Sequence, residues 1–351
     1  MKNIELDFLT RVTTKDKAFL ARQLATMLDS GLAIDRSLKI FIGQTKNTKL
    51  KKVLIQVLAD VEAGSPLSQS MKKFTNIFDP VYINIIISGE AVGRLSETLM
   101  NLAENLEKQD SFLGKVKSAL YYPAFMVVII IGIVVIMLIY VIPPLKEIFS
   151  EFSTQLPWTT RAVLGISGFF VSYWWVVLLV ILLAIGLIYY YLKTDNGKHW
   201  LARVEINFPT GIGKNIYMYR FCSTLSMLLH FGTPIIKSLD ITSFVMNNIV
   251  YEEILTSAAK QMERGIPLST VIEKEKNFDT LVPQMIRVGE ETGRVDQTLD
   301  NLGKYYEEQA NETIKRINAL IEPILIVIIG VGVAFIVFSV IMPIYQLVQL
   351  Q

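Results

Sequence analysis

Apolar positions along this chain follow two rhythms. Over roughly residues 15 to 120, and again over 193 to 320, they return every third or fourth residue, the period of a helix with one buried face. Leu20, Leu24, Met27 and Leu28 fall on one such face, and Phe221, Leu225, Leu228 and Leu229 repeat it. Gly31 and Gly232 follow as helix-ending residues. Pro234 suits the first turn of the next helix, and the Gly-x-Pro of GSPLS and GIPLS reads as a stop and a restart. No sustained period-2 alternation suggests sheet, so the expected fold is all-α.

The second rhythm is a continuous apolar run, and it occurs three times. The runs are AFMVVIIIGIVVIMLIYVIP (124–143), VSYWWVVLLVILLAIGLIYYYL (171–192) and ILIVIIGVGVAFIVFSVIMP (324–343). About 20 uncharged apolar residues span a bilayer core as a helix. Trp174 and Trp175 at one end of the second run, and Tyr189, Tyr190 and Tyr191 at the other, suit the two interfaces. Pro123, Pro143, Glu322, Pro323 and Pro343 mark the borders of the first and third spans. Composition agrees with a polytopic membrane protein: 52% of the 351 residues are apolar and only 19% charged, against about 25% charged in soluble domains. The polar start MKNIELDFLTRVTTKDKAF has no apolar signal-peptide core.

Lysine and arginine set the expected orientation. Residues 1–119 hold 17 of them and 193–320 hold 15, whereas 144–161 hold Lys146 and Arg161 and nothing after 343 is basic. The positive-inside rule then predicts a cytoplasmic helical domain over 1–119 and a second over 193–320. Transmembrane helices occupy 120–143, 171–192 and 321–343, with an extracytoplasmic loop over 144–170 and an extracytoplasmic tail over 344–351. The N-terminus is cytoplasmic and the C-terminus extracytoplasmic.

The chain is also written twice. SGEAVGRLSETL (88–99) returns as VGEETGRVDQTL (288–299). At an offset of 201, SGLAIDRSL (30–38) aligns with FGTPIIKSL (231–239) and EAGSPLS (62–68) with ERGIPLS (263–269). At an offset of 200, YYPAF (121–125) aligns with IEPIL (321–325), Gly132 with Gly332 and Pro143 with Pro343. One single-residue shift between positions 68 and 89 absorbs the change. The repeated unit is therefore a helical module plus the span that follows it, and the middle span brings the chain back so that both modules lie on one side.

The repeated phrase has a local reading. Pro80 starts a helix, YINIIIS continues it, Gly93 ends it, and Ser96, with Asp296 as its counterpart, is expected to cap the next helix. That helix carries Leu99, Leu102, Leu106, Leu113, Val116 and Leu120 on its apolar spacing and is expected to run on into the span, kinked at Pro123. At ~1.5 Å per residue, residues 97 to 142 make a rod of roughly 69 Å. The candidate interaction motif is Gly89, Glu90, Gly93, Arg94 and Leu95, repeated as Gly289, Glu290, Gly293, Arg294 and Val295. Capping explains the glycines. The glutamates admit three readings: solvent-facing groups near a helix end, contacts between modules or with a partner, or ion pairs from Glu90 to Arg94 and Glu290 to Arg294.

Candidate chemistry is sparse. Cys222 is the single cysteine and lies in an apolar-periodic stretch; His199 and His230 have no metal-spaced partners. GIGKN (211–215) departs from a phosphate-binding loop at Phe208, where glycine is needed, and at Asn215, where serine or threonine is needed. No ionisable residue lies deep in a span, which argues against an ion-coupled transporter. No nucleotide or catalytic motif supports a membrane-anchored enzyme or signalling receptor, and no EF-hand-like spacing occurs. The basic run KNTKLKK (46–52) reads as a solvated helix face, with an acidic partner or anionic lipid as the alternative. Residues 1–119 carry a net +4 and 193–320 a net −1, so the two modules are expected to meet different partners.

Taken in order, FLARQLATMLDSGLAIDRSL, the two Gly-Glu-x-x-Gly-Arg phrases, YYPAF, IPP, LPWTTR, FPTGIGK and IEPIL resemble the inner-membrane platform protein of type IV pilus and type II secretion machines, the PilC/GspF family, over roughly residues 15 to 345. The resemblance implies two homologous cytoplasmic bundles of about six helices each, three transmembrane helices, and no catalysis or cofactor. It implies a homo-oligomer working with a hexameric assembly ATPase, with pilin or pseudopilin subunits, with other inner-membrane alignment proteins and with membrane lipids, and binding no nucleic acid directly. Many members carry a longer leading segment, so the short lead here points to a minimal pilus or competence-type machine.

Overall fold

The computed structural model describes residues 11–141 and 158–349. Pro143, residues 144–157 of the expected loop and 350–351 of the expected tail lie outside the described residues. Among the described residues every regular element is helical.

The first module is α1 (Thr14–Asp29), α2 (Ile34–Gln44), α3 (Thr48–Glu62), α4 (Leu67–Lys72), α5 (Pro80–Val92) and the first part of α6 (Leu95–Ile136). A five-residue π-helical segment, Met137–Val141, continues α6. Next come α7 (Trp158–Lys193) and α8 (Asp195–Ile206). The second module is α9 (Ile212–His230), α10 (Ile235–Met246), α11 (Ile249–Met262), α12 (Leu268–Ile272), α13 (Leu281–Thr292) and the first part of α14 (Val295–Gln349). Six helices in each copy match the sequence expectation.

The caps repeat with the sequence. Asn47 accepts the amide of Leu50 at the start of α3, and Asn248, 201 positions on, accepts that of Val250 at the start of α11. Gly31 and Gly232 both take positive φ after α1 and α9, as read from the sequence. The one-residue change of offset also finds its place. Leu67 and Leu268 open matching helices at an offset of 201, whereas Asp79 and Asp279 precede α5 and α13 at 200. The missing residue therefore falls in the irregular turn after α4, where no helical period is disturbed.

Among the described residues, three helices are long and apolar enough to cross a membrane. α6 continues through Pro123 and α14 through Pro323 and Pro343, so none of these prolines ends its helix. Glu322 is exposed on α14. The interruption falls instead inside α7, at Tyr173 (φ −124°, ψ 24°), just after a stretch that includes Gly165, Gly168 and Ser172, the composition at which helices bend. Along these helices the apolar side chains are largely exposed, Leu182, Ile185, Ile326 and Val331 among them. Water tolerates no such continuous apolar surface, and lipid does.

The chain divides into two compact units. One joins the residues up to Lys115 with Ala202–Asn311; the other joins Val116–Leu201 with the residues from Glu312 onward. The first unit therefore contains both modules. Its core holds Leu20, Leu24, Leu54, Phe78, Ile86 and Leu99 from the first module, and Leu228 and Ile241 from the second belong to the same cluster. α5 packs against α9 and α10, and Phe112 on α6 meets Tyr219 on α9 with ring centroids 4.5 Å apart.

Sequence divergence between the repeats explains why this contact forms once. α5 is apolar nearly all round, with Val81, Tyr82, Ile83, Ile85 and Ile86 all buried, the pattern of a helix covered on several faces. Its counterpart α13 buries only Val282, Pro283, Ile286 and Gly289, and carries Arg287 where α5 has Ile87. On the other half of the contact, Met227, Leu228, Phe231, Ile241 and Val245 stand where the first module has Thr26, Met27, Ser30, Ile40 and Gln44. The two unused halves are thus largely polar, and the pairing closes after two modules.

Ile241 is 5% exposed and its counterpart Ile40 is 38% exposed. Ile241→Ala is expected to destabilise the chain by about 2–5 kcal/mol and Ile40→Ala by less than about 1 kcal/mol, read by urea unfolding of the detergent-solubilised protein. Equal losses would show that the modules do not share a core.

Candidate functional site

The repeated phrase forms the same turn in both modules. α5 ends at Gly93 (φ 70°, ψ 20°) and α13 at Gly293 (φ 69°, ψ 20°), a left-handed conformation that glycine takes without a Cβ clash. The amide of Arg94 donates to the carbonyl of Gly89 at 2.9 Å, and that of Arg294 to Gly289 at 2.9 Å. These bonds satisfy carbonyls that the helix end leaves open. The next helix begins at once: Thr98 and Thr298 donate their amides to the carbonyls of Arg94 and Arg294, both at 3.1 Å.

Gly89 and Gly289 have a different task. A Cβ on Gly89 would lie 2.7 Å from Thr98 Oγ1, and one on Gly289 would lie 2.9 Å from Val295 Cα and 3.1 Å from Thr298 Oγ1. The first glycine of the motif therefore lets the end of one helix press against the start of the next. The second turns the chain between them.

The glutamates reach back across the module. Pro66 and Pro267 precede α4 and α12 and offer no side-chain acceptor to the first amides of those helices. Glu290 Oε1 accepts the amides of Leu268 at 2.7 Å and Ser269 at 3.4 Å, and its Oε2 accepts the Ser269 hydroxyl at 2.5 Å. Glu90 accepts the Ser68 amide at 3.3 Å and the Ser68 hydroxyl. Each glutamate is thus a remote N-cap whose negative charge also suits a helix N-terminus. The Pro-Leu-Ser and Gly-Glu-x-x-Gly-Arg phrases, read separately in the sequence, are two halves of one contact.

This geometry corrects several expectations. The glutamates are not solvent-facing, and they form no ion pair with the arginines four residues on. Arg94 lies 3.8 Å from Glu97 instead, with both side chains exposed, a geometry worth little in stability. Ser96 does not cap α6. Its hydroxyl donates to the carbonyl of Ala25 at 3.1 Å. Asp296 does not cap α14 with its side chain either: its carbonyl accepts the hydroxyl of Ser226, the counterpart of Ala25, at 2.8 Å. The same inter-helix bond survives in both copies with donor and acceptor exchanged between the helices.

What remains outward is the pair of arginines. Arg94 and Arg294 are exposed at matching positions, with Leu95 and Val295 half-buried behind them. Near the second turn lies a polar cleft of about 510 Å³, with Glu104 and Lys108 of α6, His230 of α9, and Asp296 and Asp300 of α14 in its walls. His230 Nδ1 lies 3.7 Å from Asp296. A further pair, Arg22 to Glu107 at 2.5 and 2.6 Å, joins α1 to α6. Its hydrogen bonds raise the arginine pKa and lower that of the glutamate. Burial pushes the Cys222 thiol up, away from reactivity. Among the described residues no cluster of acidic, histidine and cysteine side chains is placed to hold a metal ion.

A family model described as type II secretion system protein F matches the chain twice, over residues 20–143 and 221–343. Each match takes in one six-helix module and the apolar stretch after it. Relatives include a protein named type IV pilus assembly protein PilC from Thermus thermophilus, 33% identical over 340 residues, covering 95% of this chain and 83% of its own length. A type II secretion system protein F from Xanthomonas campestris is 32% identical over 354 residues, covering 97% and 86%. A PilC-named protein from Myxococcus xanthus is 29% identical, covering 96% and 81%.

Glu90→Ala is expected to cost about 1–3 kcal/mol of stability, because buried donors lose their acceptor. A double-mutant cycle with Ser68→Ala should give a coupling of about 0.5–3 kcal/mol; a coupling near zero would remove the remote cap. Gly89→Ala should destabilise by about 1–3 kcal/mol through overpacking against Thr98, measured by thermal unfolding.

Proposed function

The chain belongs to the type II secretion system protein F family, and on that footing we propose that it is the multi-pass inner-membrane platform on which a type IV pilus or type II secretion-like filament is assembled. A hexameric cytoplasmic ATPase engages the first module and supplies the chemical work. Pilin or pseudopilin subunits leave the bilayer beside the three apolar helices and join the filament base. Inner-membrane alignment proteins and further copies of the chain complete the assembly. Both modules lie in the cytoplasm with the N-terminus, and the C-terminus is extracytoplasmic, the arrangement that the distribution of lysine and arginine favours.

The observation that carries this reading is the double family match. The matched segments coincide with the two copies of one unit, a six-helix module followed by an apolar helix. A catalyst needs convergent reactive groups, whereas this molecule spends its duplicated polar motif on building a turn. The role of partner contact then passes from the glutamates to the outward arginines. Arg94 is 71% exposed in its side chain, and a guanidinium presents a planar fork suited to carboxylates on a partner surface.

Arg94→Glu and Arg294→Glu should leave the amount of folded protein in the membrane unchanged and lower filament assembly about tenfold, the effect of ~1.4 kcal/mol of lost or reversed contact. A photoreactive residue at position 94 should crosslink to the ATPase. Wild-type assembly in both variants would take the turn out of the partner interface; crosslinks only between copies of the chain would reassign it to self-association.

A further inference from the structure

The basic run at the start of α3 takes no part in the repeated turn or in the joint between the modules. Residues 39–52 hold five lysines and no acidic residue, whereas the equivalent residues 240–253, 201 positions on, hold three acidic residues and no basic one. Lys39, Lys51 and Lys52 stand where the second module has Asp240, Glu252 and Glu253. The backbone beneath them is the same. α2 and α3 form a helical hairpin with Asn47 capping α3, and α10 and α11 form one with Asn248 capping α11. The duplication has kept the scaffold and reversed its charge.

Most of this charge is unused inside the chain. Lys39, Lys46, Lys49, Lys51, Asp240 and Glu252 make no ion pair and no side-chain hydrogen bond among the described residues. Like charges held this close repel one another, so the arrangement favours an oppositely charged partner. Both hairpins keep an open edge: α3 packs on α2 and α4, and α11 on α10 and α12, while the joint between the modules is made by α5 with α9 and α10. Bulk is divided in the same way as charge. Phe244 on α10 is 66% exposed and lies four residues from Asp240, on the same helix face. Its counterpart on α2 is Gly43, four residues from Lys39, where a Cβ would meet nothing within 4 Å. One hairpin presents a ring beside an acid, and the other presents open space beside a lysine. Exposed aromatic rings of this kind anchor protein interfaces.

We propose that the basic α2–α3 hairpin of one copy of the chain docks on the acidic α10–α11 hairpin of a second copy. Each copy carries both halves of the contact. Lys39 and Lys51 are as far apart along their hairpin as Asp240 and Glu252 are along theirs, so a second copy offers opposite charge at matched spacing. The apolar joint between the modules closes within one chain. This charged contact is head-to-tail, and it joins successive copies into a ring or a row. The inference deepens the self-association named above and rests on that reading only for the presence of a second copy.

The test uses the full-length chain reconstituted into vesicles with no other protein, so failure of the ATPase or pilin part of the proposed function leaves it untouched. Two distinguishable forms are reconstituted together, one carrying Gly43→Cys and the other Phe244→Cys; Cys222 is fully buried and out of reach of the reagent. A short bis-maleimide should join the two forms in higher yield than it joins two copies that both carry Gly43→Cys. Lys39→Glu with Lys51→Glu on the first form should lower that yield at least about tenfold, and Asp240→Lys with Glu252→Lys on the second form should restore it. The crosslink should also persist in vesicles of phosphatidylcholine alone; its loss there would overturn the proposal in favour of an anionic headgroup. A yield no higher than that of the Gly43→Cys self-pair, or a charge reversal that the compensating reversal does not rescue, would overturn it outright.

Discussion

A helix that begins after a proline lacks the side-chain acceptor its first amides need, and in this chain a glutamate from the end of the next helix supplies it. The contact between Glu290 and the Leu268–Ser269 amides, repeated between Glu90 and Ser68, fixes the short helix against the long turn that follows. The rest of the module depends on that placement. It positions Gly89 and Gly289 where only hydrogen fits against the next helix, and that close approach starts the helix that continues into an apolar, membrane-crossing stretch. A charged group that is hydrogen-bonded inside a module serves architecture, and the groups left outside it are free to meet partners.

The duplication then diverged in ways that packing explains. A two-module unit needs one joining surface, and two identical modules would offer a second, unfilled one. The chain resolves this by keeping Leu228, Phe231 and Ile241 apolar on one copy while Ser30 and Gln44 face outward among their counterparts on the other. The same divergence replaces Ile87 of α5 with Arg287 of α13, which pairs with Glu273 at 2.6 Å. Edges that would otherwise propagate are thereby closed. One joined helical unit presents two differently charged modules, each leading into its own membrane-crossing helix.

Much of this was legible in the residues. The 3.6-residue period gave the helices, because burial on one face is a local pattern. Uncharged runs of twenty residues gave the three spans, and Gly93 and Gly293 gave the helix ends. Ser96 and Asp296 do not cap because cap preference is a statistical property of a residue type, and their actual bonds depend on a helix 71 and 70 positions away. The kink in α7 at Tyr173 carried no proline to announce it, whereas α6 runs on through Pro123 into the apolar stretch as its spacing led one to expect.

That the chain is helical, that it is duplicated, and which stretches suit a bilayer are all written in periodicity and composition. What the repeated glutamates do, and that the two modules share one core, emerges only from the folded packing. Both outcomes join groups more than twenty residues apart: Glu90 to Ser68 within a module, and α5 to α9 and α10 across the duplication. Local pattern specifies which face of a helix seeks burial. It does not specify which of several apolar or polar faces will meet it, because that choice is made by the shape of the whole packed unit.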